Sequence, residues 1–317
     1  MQNSPVFWFF SRRRRQAASE TWFIFSRHHN NSIITLTHEG EFSMKKLFVC
    51  FALLAVVVSA SSCTKAPPAT ERMVLTINGV EYAFRQCPDG TFMMGSPAKE
   101  QGRYGNETQH QVTLTQDFWM LETPVTQEMW ESVMGGNPSY FKGSGQLPVE
   151  QVSWDDCQEY VQRLNALKVA PSGYKFSLPT EAQWEYACRA GTTTALNDGK
   201  NLKDDQYDCP NLDKLGWYNW KNKESQTHEV GLKKANAWGL FDMHGNVREW
   251  CLDKSTSYPE DSVTDPLGHS NDVLLLHVFR GGSWKGIARY CRSACRGFGT
   301  PSSRNENVGA RIALVHQ

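Results

Sequence analysis

The sequence feature that most constrains folding is a short apolar segment that begins after two lysines. Met44-Lys45-Lys46 precedes the apolar run 47–60, and Ser61-Ser62-Cys63 follows it. A basic start, an apolar run of about 7–15 residues and small residues at the cleavage point are typical of a secretory signal. The run is shorter than the roughly 20 apolar residues of a transmembrane helix. Residues 44–62 are therefore predicted to be a signal peptide.

Cys63 directly follows the small residues, a pattern that resembles a bacterial lipobox with Ala60 in place of the usual leucine. The resemblance implies that Cys63 is lipidated and that its lipid anchors the chain in a membrane. The expected location is the bacterial cell envelope, either periplasmic or exposed at the surface. Residues 63–73 then form the lipidated cysteine and a tether. Residues 1–43 are interpreted as a start-site artefact or, alternatively, as a disordered extension.

The composition of the chain limits its partners and its metal sites. Lysine plus arginine and aspartate plus glutamate each number 33, so the formal net charge is zero and no nucleic-acid partner is indicated. Eleven tryptophans and 24 glycines favour a compact domain with many turns over a helical bundle. None of the nine cysteines forms a CxxC pair, which argues against a zinc ribbon or a thioredoxin-type site.

Local patterns predict one clear hairpin and three helices in residues 74–317. Asn78-Gly79 lies between two β-rich runs, which is a strong signal for a two-residue hairpin turn. The helices are predicted from their N-cap residues, which are Thr126, Ser153 and Thr180. Gly135-Gly136 and Gly191 are predicted to end the first and third helices. The predicted fold class is α+β, largely irregular, in a single domain.

Seven motifs follow one another in the same domain. They are PDGTFMMGS at 88–96, ETPVT at 122–126, QLPVEQVSW at 146–154, LPTEAQWEY at 178–186, NAWGLFDMHGNVREW at 236–250, RGGSW at 280–284 and VGAR at 308–311. In this order the motifs resemble the formylglycine-generating enzyme, or sulfatase-modifying factor, family. The resemblance implies a C-type-lectin-like fold with short strands and little regular structure.

The same resemblance implies a catalytic pair of cysteines after the Gly-Gly-Ser segment, separated by four residues. In the enzyme the pair binds copper(I), which activates oxygen to convert a substrate cysteine to formylglycine. Counting forward from Gly281 places the pair at Gly286 and Cys291. Counting back from Arg292-x-Ala294-x-Arg296 places Cys291 at a non-catalytic position. Neither count yields two cysteines, so copper is not expected.

An oxidase with altered ligands stays open as an alternative. Its catalytic residues would be Ser283, which matches the family's serine, together with Cys291 and Cys295. Asp242, His244 and Glu249 also suggest catalysis or a metal, but are interpreted as a polar turn. They lie in the same motif, at 236–250.

A disulfide is a further implication of the resemblance. Secreted relatives join the cysteine of the Trp-Glu-Tyr-x-Cys motif, here Cys188, to a cysteine of the C-terminal segment. The prediction is a Cys188–Cys291 bond, with free buried thiols as the alternative.

The family also carries calcium sites that hold its loops. Asn246 and Val247 match one site, and Asn211 and Leu212 loosely match another. Calcium takes six to eight oxygen ligands. The sequence does not show the acidic partner of the second site, near Lys223-Glu224-Ser225. One calcium ion is therefore a better-supported expectation than two.

The leading functional hypothesis is a non-catalytic binding module with a protein or glycan ligand. Residues 285–307 are rich in serine, asparagine, glycine, arginine and tyrosine, of which all but arginine are adaptable contact residues. The candidate ligand contacts are Trp284, Arg289, Tyr290, Arg296 and Phe298. In retroelement-diversified proteins that resemble this domain, the variable, ligand-contacting segment also lies near the C-terminus. The alternative interpretation of residues 285–307 is a simple polar loop. A scaffold part of an envelope machine is a third hypothesis.

Overall fold

The structure is a computed structural model that describes residues 20–25, 33–38, 70–218, 225–268 and 276–317. The chain divides into two compact units, Met1–Lys65 and Ala66–Gln317. In the first, strands β1 (Glu20–Phe25) and β2 (Ile33–His38) pair antiparallel, which differs there from a disordered extension. The predicted signal peptide and Cys63 lie outside the described residues. None of the described helices is long and apolar enough to span a membrane.

The second unit is organised around a five-stranded antiparallel sheet. Its strands are β3 (Arg72–Ile77), β4 (Val80–Cys87), β7 (Phe118–Leu121), β8 (Tyr174–Ser177) and β14 (Ala313–His316), in the order β3-β4-β7-β14-β8. The predicted hairpin joins β3 and β4, and its turn residues Asn78 and Gly79 have φ values of 50° and 85°. Two consecutive left-handed residues match the right-handed twist of the strands, which explains the Asn-Gly pair.

Two smaller sheets complete the described part of the unit. One contains β12 (Gly297–Gly299), β11 (His277–Arg280), β9 (Arg248–Lys254) and β13 (Val308–Ala310), in that order. The other contains β10 (Val263–Thr264), β6 (His110–Leu114) and β5 (Gly90–Met94). Within these sheets β13 runs parallel to β9, and β10 runs parallel to β6. Short strands in separate sheets confirm the predicted α+β, largely irregular fold class.

The three predicted helices form where their caps predict them. They are α1 (Gln127–Met134), α2 (Trp154–Ala166) and α3 (Glu181–Arg189). The side chains of Thr126, Ser153 and Thr180 each accept a hydrogen bond from a backbone N–H of the first turn. Helix α1 ends at left-handed Gly135 as predicted, but α3 ends at left-handed Ala190 instead of Gly191. The Ala190 N–H bonds to the carbonyl of Tyr186, so the helix closes one residue early.

Helix α3 packs against strands of the two smaller sheets, namely β5, β9 and β11. Its Trp184 and Ala187 pack into a buried cluster with residues of β6, β7 and β11. The carboxylates of Glu181 and Glu185 are buried on the same helix. A buried carboxylate is stable only when it is paired and hydrogen-bonded. Glu185 is paired with Arg189 of the same helix, and the further arginine partners of both carboxylates come from the C-terminal part of the chain, at the site described next.

Candidate functional site

Residues 285–297 are fixed to the domain by a buried arginine. Arg292 Nη2 donates to Glu107 Oε1 at 2.6 Å, and its Nη1 donates to Glu107 Oε2 at 2.8 Å. The same Nη1 also donates to Glu100 Oε1 at 2.7 Å. The side chains of all three residues are at most 1% exposed, so both ion pairs are shielded from water. Residues 285–297 are therefore anchored to the domain by buried ion pairs, unlike an exposed polar loop.

Two more arginines are paired with the buried carboxylates of α3. Arg296 binds Glu181 through two hydrogen bonds, at 2.7 Å and 2.8 Å. Arg280 donates to Glu185, and its Nη1 donates to the carbonyl oxygen of Cys295 at 2.6 Å. One helix thus neutralises both guanidinium groups and sets their positions.

A cavity of about 400 Å³ is partly lined by these two arginines and borders β9, β11 and β12. Cavities of roughly 300–1,000 Å³ are typical of small-ligand sites. In the described residues, the lining combines three arginines with four aromatic rings and contains no carboxylate side chain. It consists of Tyr104, Asn106, Arg248, Phe279–Gly282, Tyr290 and Cys295–Phe298. The arginines can bind a negatively charged group of a ligand, and the aromatic rings can bind a flat or apolar group beside it.

The Phe279 ring forms one wall because β12 has no side chains where the ring lies. A Cβ placed on Gly297 would collide with atoms of the Phe279 ring, and one on Gly299 would lie 3.3 Å from Phe279 Cε1. The two glycines therefore let the ring lie against the strand. The ring in turn packs edge-on against Trp250, with 5.3 Å between centroids, so its position is fixed by the core.

Arg248, the first residue of β9, differs from the other two arginines of the lining. Its guanidinium carbon lies 4.9 Å from the Phe279 ring centroid and 5.8 Å from that of Tyr290. Within the described part of the chain it forms no side-chain hydrogen bond and no ion pair. The residue is half-buried. Arg248 therefore offers the cavity a positive charge with unused N–H donors.

Tyr104 and Tyr290 form a stacked pair at the cavity. Their rings are parallel within 1°, and their centroids are 6.2 Å apart. The guanidinium carbon of Arg289 lies 4.4 Å from the Tyr104 centroid, and its Nη2 donates to the Gly102 carbonyl at 3.4 Å. Burial raises the pKa of Tyr104 to about 12, so the phenol stays neutral at neutral pH. The pair supplies a flat, uncharged surface.

The structure brings three of the five predicted ligand contacts together. Tyr290, Arg296 and Phe298 line the cavity, whereas Trp284 and Arg289 do not. Trp284 is buried: its indole N–H donates to the Glu306 carbonyl at 3.1 Å, and its ring packs edge-on against Phe141.

The three residues proposed for an oxidase lie in different surroundings. Ser283 is buried, and its Oγ accepts a hydrogen bond from Asn307 Nδ2 at 3.3 Å. Cys291 is buried in an apolar cluster that includes Cys209, and a Cβ at Gly282 would collide with its sulfur. Cys295 lies in the lining of the cavity, and Cys291 does not.

Cys291 and Cys295 do not fit a copper(I) site of two thiolates. Burial raises the pKa of Cys291 to about 12 and also raises the pKa of Cys295. Without a metal, both side chains are therefore neutral thiols at neutral pH. Cys291 also lies in an apolar cluster outside the cavity lining, whereas Cys295 lies in that lining. In the ranges that the structure describes, no three His, Cys, Asp or Glu residues are grouped to hold a metal ion.

The predicted Cys188–Cys291 disulfide is not formed, and both cysteines are free buried thiols. Cys188 faces Ser293 instead, with 3.6 Å between its sulfur and the serine Oγ. A 3₁₀ turn over Ala288–Cys291 precedes Ser293 and turns Cys291 into the apolar cluster. The residue that faces Cys188 is thus Ser293, which lies two positions after the predicted partner Cys291.

Asp242, His244 and Glu249 are all buried, but the interpretation as a polar turn fails for Glu249, which belongs to strand β9. His244 is buried, and burial lowers its pKa to about 4, so the ring is neutral. Its Nδ1 donates to the Cys291 carbonyl at 2.7 Å, and its Nε2 accepts from the Asn197 N–H at 3.0 Å. Both ring nitrogens are therefore engaged, and the ring would have to give up one of these hydrogen bonds to act as a base or a metal ligand.

Asn246, a predicted calcium ligand, makes hydrogen bonds inside the protein, and calcium binding there stays a prediction. Asn246 Oδ1 accepts from the His228 N–H at 3.1 Å, and its backbone carbonyl accepts from the Trp284 N–H at 2.9 Å. Val247 is buried next to it. The oxygens that Asn246 offers are therefore used inside the protein.

The second predicted calcium site is only partly described. Asn211 Nδ2 donates to the Asn201 carbonyl at 2.7 Å, and Leu212 is buried in the same cluster as Cys291. Lys223 and Glu224, near which an acidic ligand was sought, lie outside the described residues.

Several residues of the cavity were missed by the sequence reasoning, among them one tyrosine, one arginine and one phenylalanine. Tyr104, Arg248 and Phe279 come from separate parts of the chain, and tertiary pairing brings them together. The sequence contains no distinguishing signal for them, since Arg248 is one of three charged residues in the motif at 236–250.

The chain is similar to known proteins over most of its length. Residues 83–315 match the model of the "Sulfatase-modifying factor enzyme 1-like domain". The chain is 30% identical over 268 residues to chaperone protein LppX of Paenibacillus barcinonensis, covering 68% of this chain and 84% of the relative. It is 31% identical over 227 residues to the formylglycine-generating enzyme of Streptomyces coelicolor, covering 64% and 66% of the two chains. The chain thus spans about two thirds of that enzyme.

Solved structures show the same fold. Treponema denticola variable protein 1 superposes with a TM-score of 0.67 at 30% identity, covering 76% of this chain and 98% of that one. PvdO from Pseudomonas aeruginosa superposes with a TM-score of 0.63 over 78% of this chain and 99% of that one. At 24% identity, PvdO supports the fold alone. Given the family match across residues 83–315, this chain belongs to the sulfatase-modifying factor, or formylglycine-generating enzyme-like, domain family.

Proposed function

We propose that this chain is a lipid-anchored envelope protein whose domain binds a ligand in the 400 Å³ cavity without oxidising it. One observation carries the proposal. The cavity is lined by arginines and aromatic rings, while Cys291 is packed in an apolar cluster outside that lining. A lining of this kind suits recognition, whereas formylglycine chemistry requires two thiolates on one copper ion.

The lipid anchor is supported by the signal-like segment 44–62 and by Cys63. The name of the relative LppX is of the kind given to lipoproteins, which supports the anchor. That relative is called a chaperone, which favours a protein ligand for this chain. The anchor is tested by metabolic labelling with radioactive palmitate in a bacterial host. The wild-type chain is expected to incorporate the label and Cys63→Ser to lose it. Equal labelling of both chains would contradict the assignment of Cys63.

The alternative of an oxidase with altered ligands is supported by one observation, which is that Cys295 lies in the lining of the cavity. The test uses detergent-extracted full chain in a copper(I) titration against a competing chelator. The same protein is incubated aerobically with a Cys-x-Pro-x-Arg peptide, and the peptide is examined by mass spectrometry. We expect no copper uptake and an unchanged peptide. Tight copper binding with formylglycine in the peptide would establish the enzyme and refute the binding module.

A further inference from the structure

We propose that Arg248 binds a carboxylate group of the ligand in the cavity and that the aromatic rings bind an adjacent apolar or aromatic group. This inference rests on the proposed binding function and names the chemistry of its ligand. The ligand end that fits is a carboxylate next to a ring. A C-terminal amino acid and an acidic sugar both present a carboxylate, and the experiment below distinguishes them.

The first argument is the difference between Arg248 and its neighbours. Arg280 and Arg296 donate to Glu185 and Glu181, so their charges are already compensated. Arg248 has neither a carboxylate nor a carbonyl partner among the described residues. A half-buried guanidinium has lost part of its hydration and gains most from an anionic partner that enters the same space.

The second argument is that Arg248 is held in place before any ligand binds. Its guanidinium lies against two rings, Phe279 at 4.9 Å and Tyr290 at 5.8 Å. Phe279 is itself fixed by the glycines of β12 and by Trp250. A guanidinium held against aromatic rings keeps its planar set of N–H donors, which matches the two oxygens of a carboxylate. Little side-chain entropy is lost when the ion pair forms.

The third argument is the size and polarity of the cavity. A volume of about 400 Å³ accepts one amino-acid residue or one sugar ring, not a folded surface. The parallel rings of Tyr104 and Tyr290, together with Phe298, provide apolar area for the part of the ligand beside the carboxylate. The described lining contains no acidic side chain that would repel an anion.

The experiment uses detergent-extracted full chain and ligand-observed saturation-transfer NMR. The first probe is N-acetyl-L-phenylalanine, and its C-terminal amide is the uncharged match. Glucuronate and glucose form the corresponding sugar pair. Each probe is titrated against wild type, Arg248→Gln and Arg248→Met. Arg248→Met keeps an aliphatic side chain against Phe279. With two uncharged variants, the test can still be made if one of them fails to fold. Arg163→Gln, on the exposed side of α2, is the matched control.

We expect one carboxylate probe to bind wild type at least about tenfold more tightly than its uncharged match. That preference disappears in a folded Arg248→Gln or Arg248→Met protein and is unchanged in Arg163→Gln. Binding of acetylphenylalanine identifies a C-terminal residue as the source, and binding of glucuronate identifies an acidic sugar. Equal binding of charged and uncharged probes, or a preference that survives both Arg248 variants, would overturn the proposal.

Failure of this inference is distinguishable from failure of the proposed function. If neither carboxylate probe binds and the copper and peptide test is also negative, the carboxylate assignment is wrong while a binding module remains. If the peptide is converted to formylglycine, the binding function itself is wrong, whatever the probes show.

Discussion

The sulfur of Cys188 lies 3.6 Å from the hydroxyl oxygen of Ser293, and both residues are buried. A thiol and a hydroxyl thus occupy facing positions, and a cysteine at position 293 would bring two sulfurs close together. Cβ atoms of bonded cysteines are about 3.5–4.5 Å apart. The facing pair therefore gives a direct test of the register of the C-terminal segment.

Ser293→Cys is expected to form a disulfide with Cys188 on mild oxidation. The bond closes a loop between residues 105 apart and should raise the free energy of unfolding by about 2–4 kcal/mol. Non-reducing peptide mapping identifies the bond, and denaturant unfolding with and without reductant measures its effect. Ala294→Cys, one residue away, serves as the control. A bond from Cys188 to Cys291 in either variant would show that the register is wrong.

The cysteines of wild type are expected to be free and slow to react. Burial raises the pKa of Cys188 and of Cys291 to about 12, so neither thiolate is populated at pH 8. Iodoacetamide should leave both unmodified in the native protein and alkylate both in guanidinium without reductant. Peptide mass spectrometry reads out each site. Protection of Cys188 in the unfolded, unreduced chain would instead show a disulfide.

Removing the partner of Glu249 is expected to destabilise the domain strongly. Arg311 donates to both Glu249 oxygens, at 2.9 Å and 2.8 Å, and Trp184 Nε1 donates at 2.6 Å. Arg311→Met leaves a buried carboxylate without its counter-ion, which costs about 3–5 kcal/mol. Chemical denaturation measures the loss. Arg163→Met breaks an exposed pair with Glu159 and should change stability by less than about 0.5 kcal/mol. Similar effects of the two variants would contradict this assignment.

Glu150 is expected to make stability fall as pH rises through the weakly acidic range. Its Oε1 accepts from the Phe141 N–H at 2.8 Å, and its buried Oε2 has no partner among the described residues. Burial raises its pKa to about 7, above the roughly 4.3 of the unfolded chain. Between these values the unfolded state loses its proton first, so ionisation favours unfolding by at most about 1.4 kcal/mol per pH unit.

Glu150→Gln should remove this dependence because the amide does not ionise. The variant is expected to gain roughly 2–3 kcal/mol relative to wild type between pH 4.5 and pH 7, and nothing further above that range. Urea unfolding at several pH values measures the difference. A difference that stays constant with pH would show that Glu150 is ionised in the folded domain.

The sequence predicted local structure well and the site only in part. The Asn78-Gly79 turn and the caps at Thr126, Ser153 and Thr180 depend on neighbouring residues, so their patterns are visible in the sequence. The cavity depends on pairs such as Arg292–Glu107, which are 185 residues apart. No local pattern reports such a pair.

Individual errors have physical reasons. The disulfide with Cys291 was expected from the family resemblance, but the 3₁₀ turn Ala288–Cys291 places Cys291 in an apolar cluster, and Ser293 faces Cys188 instead. Trp284 was named as a candidate ligand contact, but its indole is buried against Phe141. Arg248 was overlooked because its lack of a partner is a property of the folded chain.

The buried arginine pairs also determine which positions tolerate change. Arg292 and Arg296 are joined to carboxylates of distant segments, so replacing either disrupts the scaffold. Tyr104, Arg248 and Phe298 line the cavity without such ion pairs. New binding specificities should therefore arise by exchanging those side chains, while the guanidinium–carboxylate network keeps the backbone unchanged. A combinatorial library restricted to cavity positions would then retain a high fraction of folded members.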